Sequence, residues 1–88
     1  MKVVWKYSFE IRDDIEIKMP LNAKILKVTT QNGIPVIYVL TNDDAYGFET
    51  RHFRLLGTGH KINVYPGEYI GTFMMHGESL VFHMFEKL

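Results

Sequence analysis

With 88 residues the chain is too short for two ordinary domains, and with no cysteine it has no disulfide staple, thiolate zinc site or thiol nucleophile. Ten Lys and Arg balance ten Asp and Glu, so no net field draws in DNA, RNA or an anionic membrane, and none of these is expected as a partner. At 47% apolar and 23% charged the composition is globular, and no run approaches the ~18 apolar residues of a membrane helix, so one domain over residues 1–88 in a reducing cytoplasm is expected.

Val3, Trp5, Tyr7 and Phe9 alternate with polar or smaller residues, the period of a half-buried strand. After a turn at Arg12 and Asp13, Ile15, Ile17 and Met19 alternate with Asp14, Glu16 and Lys18 until Pro20, which has no donor for a ladder bond. Residues 24–31 carry the β-formers Ile25, Val28, Thr29 and Thr30 up to Asn32-Gly33, the pair favoured in type I′ hairpin turns, and 36–40 return. Pro35 beside that turn must aim its missing donor away from the ladder. Residues 48–56 and 62–65 read as further strands around the Gly57-Thr58-Gly59 break. Pro66-Gly67 has type II turn residues, and 69–75 with 79–85 form a closing hairpin around Gly77. No window shows helical spacing behind a cap, so the predicted fold is all-β, a small antiparallel sandwich or barrel of seven or eight short strands.

The closing hairpin is apolar on both faces. With a two-residue loop, Gly71, Phe73 and Met75 share a face with Leu80, Phe82 and Met84, while Ile70, Thr72, Met74 and His76 share the other with Ser79, Val81, His83 and Phe85. An antiparallel sheet usually leaves one face to water, so something must cover the second face here: a part of the same chain or a second copy. The apolar set Phe73, Met75, Leu80, Phe82 and Met84 is the expected interface of a homo-oligomer.

No catalytic constellation is legible. His52, His60, His76 and His83 lack metal-ligand spacing, Ser79 has no nucleophile elbow around it, and neither a metal nor another cofactor is expected. The one basic stretch runs from Arg51 to Lys61 without an acid. There Arg51 and Arg54 offer guanidinium forks, Thr58 a hydroxyl between two glycines, and His60 and Lys61 further donors, which suits a phosphate. The stretch is neither a P-loop nor a dinucleotide fingerprint, because no helix follows its glycines.

The blocks Trp5-Lys6-Tyr7, Ala23-Lys24-Ile25-Leu26, Gln31-Asn32-Gly33, Gly57-Thr58-Gly59-His60, Tyr69-Ile70-Gly71-Thr72, His76-Gly77 and Val81-Phe82-His83 with Phe85-Glu86 span almost the whole chain. As a set they resemble a family of short proteins of unknown function found in bacteriophages and prophages. The resemblance implies an accessory protein in the cytoplasm of an infected bacterium and carries no catalytic residues. In that setting the expectation is a non-enzymatic counter-defence binder that sequesters a phosphate-bearing signalling nucleotide as a homo-oligomer. The alternatives are a direct inhibitor of a host protein or a minor virion or assembly component.

Overall fold

The alternation that opens the chain becomes β1 (Lys2–Ser8), with Val3, Trp5 and Tyr7 turned inward and half-buried. The computed structural model, which describes residues 1–88, continues with β2 (Asp14–Pro20), β3 (Lys24–Gln31), β4 (Ile34–Asn42), β5 (Phe48–Gly57), β6 (Glu68–Met75) and β7 (Leu80–Lys87). All neighbours are antiparallel, and two sheets form, β1-β4-β3 and β2-β5-β7-β6. Their inner faces pack into one core around Met19, Ile37, Val39, Phe53 and Met84, each fully buried. The fold is the expected all-β class, resolved in favour of a sandwich.

Strand parity accounts for the prolines. At the two ends of the β2–β5 ladder the Leu55 N–H donates to the Asp13 carbonyl and the Leu21 N–H to the Gly47 carbonyl. The odd-numbered residues of β2 therefore bond to β5, and the even-numbered ones turn their N–H and C=O toward the free edge. Pro20 occupies an even position, so its missing donor removes nothing from the ladder. Pro35 lies opposite Thr30 and accepts from the Phe9 N–H just past the end of β1, again beyond the regular ladder. At the β3–β4 turn Asn32 and Gly33 have φ of 52° and 79°, the left-handed pair a type I′ turn requires.

The closing hairpin turns through four residues, 76–79, rather than two, with Met75 opposite Leu80. Two extra turn residues preserve parity, so Phe73 faces Phe82 and Gly71 faces Met84 on the inner side. Phe73, Met75 and Met84 are buried in the core, and Phe82 packs against it. The chain's own second sheet thus covers the face expected to serve as a subunit interface, leaving only Leu80 of that set largely exposed. A register shift at Ile70 moves its side chain off the outer face and against the core. Ser79 stays within the turn, donating from its hydroxyl to the His76 carbonyl at 2.8 Å.

Residues 62–65 are not a strand. Both β5 and β6 run antiparallel to β7 and hence parallel to each other, so the chain must travel back along the sheet between them. Residues 58–67 make that return, starting beside Gly57 opposite Phe82 and ending at Glu68 opposite Glu86. The β-forming residues there have no ladder to join, and Ile62, Val64 and Tyr65 are 54%, 77% and 83% exposed. The segment closes at Gly67, where φ is 116° and a Cβ would sit 2.0 Å from the Glu86 carbonyl oxygen, so only glycine fits.

Between the sheets β3 and β6 close one side, where the Thr30 hydroxyl donates to the Met74 carbonyl at 2.6 Å. The other side stays open between the edges of β1 and β2, a cleft of about 530 Å³ floored by Tyr7, Phe9, Ile15 and Ile17.

Candidate ligand-binding site

The outer face of the four-stranded sheet is laid out in rows by strand register. Asp14, Arg54, Phe85 and Tyr69 form one row, and Leu56, His83 and Thr72 the next. Residues 61–66 of the crossover fold back against this face and with Arg54 and Leu56 enclose a cleft of about 230 Å³. His83 and Phe85 lie half-buried along β7, with the crossover on one side and the exposed Tyr69, Thr72 and Met74 of β6 on the other.

Arg54 is anchored at one end only. Its Nε donates to Asp14 Oδ1 at 3.1 Å, and Lys87 Nζ reaches the same oxygen at 2.9 Å. The hydrogen bonds from Lys87 and then Arg54 hold the Asp14 carboxyl below the usual carboxylate range, so it stays ionised and keeps the guanidinium in place. The two terminal nitrogens of Arg54 bond to nothing in the chain, which leaves a donor fork at the cleft that Lys61 also lines. The Lys61 ammonium likewise has no acidic partner within salt-bridge distance.

A chain of hydroxyls and one imidazole lies beside this cleft. Thr58 Oγ1 is 2.7 Å from His83 Nε2, His83 Nδ1 is 2.9 Å from Thr72 Oγ1, and Thr72 Oγ1 is 2.5 Å from the Tyr69 hydroxyl. Either tautomer of His83 satisfies the chain, with every proton pointing toward Thr58 or every proton toward Tyr69. The relay ties the start of the crossover to β7 and β6, and a Tyr69–Phe85 edge-on contact with centroids 5.6 Å apart continues it.

The five residues expected to bind a ligand do not converge. Arg54 and Lys61 line one cleft, while Thr58 and His60 line a neighbouring one of about 240 Å³ at the end of the sheet. The His60 ring accepts from the Gly57 N–H at 3.3 Å. Arg51 belongs to neither cleft, because its odd-numbered neighbours Phe53 and Leu55 point inward and so does it. Its Nε and Nη2 meet the Glu86 carboxylate at 2.6 and 2.8 Å, and Nη1 donates to the Ala23 carbonyl at 2.5 Å. The hydrogen bond to Glu86 raises the Arg51 pKa, and the two side chains are only 17% and 10% exposed. Arg51 therefore ties β5 to Glu86 of β7 and to the connection between β2 and β3 at Ala23, and has no fork left for a ligand.

Asp14, Tyr69, Thr72 and His83 were not legible as site residues. Parity places Thr72 and His83 on one face, but the link to Thr58 depends on the route of the crossover, and Asp14 is 40 positions from Arg54. No curated protein and no solved structure matches the sequence. A family model described as a domain of unknown function (DUF7352) matches residues 1–88, and the chain, a two-sheet antiparallel sandwich with a half-anchored arginine on its outer face, belongs to that family.

Proposed function

We propose that this domain is a non-catalytic binding module for a small ligand carrying phosphate, held on the outer face by Arg54 and Lys61 with Thr58 and His60 at its margin. One observation carries the reading: Asp14 fixes Arg54 through Nε while its two terminal nitrogens stay unpartnered beside Lys61. A planar fork with a second cation beside it matches two oxygens of a phosphate, and the cost of ordering the arginine is already met by Asp14. Phe85 and Tyr69 in the same row offer a ring surface for an attached base. In the phage setting implied by the sequence resemblance, such a module would sequester a signalling nucleotide released by host defence.

The test is a thermal-shift panel of pyrophosphate, cyclic mononucleotides and dinucleotides, and ADP-ribose derivatives. At least one should raise Tm in the wild type, lose about tenfold or more in affinity with Arg54→Ala, and return chemically intact after heating. An altered compound would replace binding by catalysis, and a silent panel would remove the reading. A second reading rests on Ile62, Val64 and Tyr65, whose exposure suits docking to another protein. Under that reading the panel is silent, and Tyr65→Ser abolishes capture of one host protein.

A further inference from the structure

We propose that β2 is a self-recognition edge: a second copy of this chain pairs antiparallel against it about a two-fold axis at Ile17, joining two four-stranded sheets into a continuous one. β2 is the terminal strand of its sheet, with only β5 beside it. The parity set by Leu55–Asp13 and Leu21–Gly47 leaves the N–H and C=O of Asp14, Glu16 and Lys18 directed outward, while the C=O of Pro20 is taken by the Ala23 N–H. Edges left this way are templates for pairing unless a bulge, a cover or repelling charges blunt them. The register of β2 runs unbroken from Asp14–Arg54 to Pro20–Phe48, whereas β3 and β6 are both interrupted by bulges.

The charge pattern selects one register. With the axis at Ile17, Glu16 and the second copy's Lys18 exchange both backbone hydrogen bonds, and the symmetry repeats the exchange. Asp14 falls opposite the second copy's Pro20, whose carbonyl already accepts the Ala23 N–H of its own turn, so the paired hydrogen bonds of this register are the four between Glu16 and Lys18. On the outer face two Glu16–Lys18 ion pairs form and no like charges meet, and on the inner face Ile15 lies opposite Met19 and Ile17 opposite itself. Moving the axis to Glu16 sets carboxylate against carboxylate, and moving it to Lys18 sets ammonium against ammonium.

The free edge of β1 provides the contrast. Asp43 N–H to Met1 O and Phe9 N–H to Pro35 O place Lys2, Val4, Lys6 and Ser8 outward there, a set with no acid, so no register of self-pairing forms an ion pair and pairing about Val4 brings Lys2 onto Lys6. That edge offers its own copy no opposite charge in any register, while β2 offers two ion pairs in one. Glu16 and Lys18 are already held on the outer face, Glu16 by His52 at 3.4 Å and Lys18 with its ammonium 5.9 Å above the Phe48 ring. The two-fold axis keeps the outer faces on one side, so both Arg54 clefts open the same way.

Sedimentation equilibrium of the full chain tests this with Glu16→Lys, Lys18→Glu, the double reversal E16K/K18E, and Lys18→Pro, each checked for an unchanged far-UV spectrum. The expected results are a wild-type dimer, a dissociation constant raised about tenfold or more by either single reversal, and recovery to within about threefold in the double. Lys18→Pro removes the outward N–H of residue 18 in each copy while sparing the β5 ladder, and is expected to be monomeric. A wild type that stays monomeric at ~1 mM, a dimer indifferent to the single reversals, or a double that fails to recover would overturn the proposal.

Discussion

Removing the carboxylate of Glu86 is the sharpest perturbation of this fold. Glu86 is 7% exposed and meets Arg51 through both of its oxygens, so truncation strands a guanidinium between the sheets. Breaking a buried pair from one side costs about 3–5 kcal/mol. The lower end applies, because Arg51 keeps its bond to the Ala23 carbonyl and is 17% exposed. For a domain of this size about 3 kcal/mol lowers Tm by roughly 12–24 °C. Replacing both partners by apolar side chains of similar volume, Arg51→Met with Glu86→Leu, removes the stranded charge and should leave stability within about 1 kcal/mol of wild type. Thermal and urea unfolding followed by Trp5 fluorescence and circular dichroism measure all four corners of the cycle. The reasoning fails if Glu86→Ala lowers Tm by less than about 4 °C, or if the double variant is no more stable than that single one.

Three further outcomes follow from particular contacts. Gly67→Ala forces a Cβ into the Glu86 carbonyl at φ 116°, and should cost more than about 2 kcal/mol in chemical denaturation, well beyond the ordinary glycine-to-alanine difference. Met84→Ala empties a fully buried position in the middle of β7, and should cost about 2–5 kcal/mol in the same assay. The folded-state pKa of Asp14 is depressed, so its contribution is present above the unfolded carboxylate value of roughly 4 and is lost as pH falls through the lower folded value. The gap in Tm between wild type and Asp14→Asn, measured from pH 6 down to pH 2, should therefore close at the acid end, and a gap that widens there contradicts the pairing.

All seven strands were readable from their own residues, because alternation, β-forming side chains and turn chemistry such as Asn32-Gly33 act within a few residues. Residues 62–65 misled for the same reason: Ile, Val and Tyr favour a strand wherever a neighbour exists, and whether one exists is a question of strand order. The parity of the closing hairpin was legible, so Phe73, Met75, Phe82 and Met84 could be grouped correctly. What covers them was not, because both a second copy and a second sheet satisfy the same apolar face.

The candidate site divides along the same line. A basic run with glycines grouped Arg51 with Arg54 and Lys61, but only the latter two line one cleft, and Arg51, three positions before Arg54, belongs to the opposite face of the same strand. Local patterning decided the strands, the turns and which residues share a face, since these depend on dihedral preference and a period of two. Only the tertiary arrangement decided which sheet each strand joins, that Glu86 finds Arg51 and Asp14 finds Arg54, and that Thr58 at the start of the crossover reaches His83. Those partners are 35, 40 and 25 positions apart, and no local preference reaches across such distances.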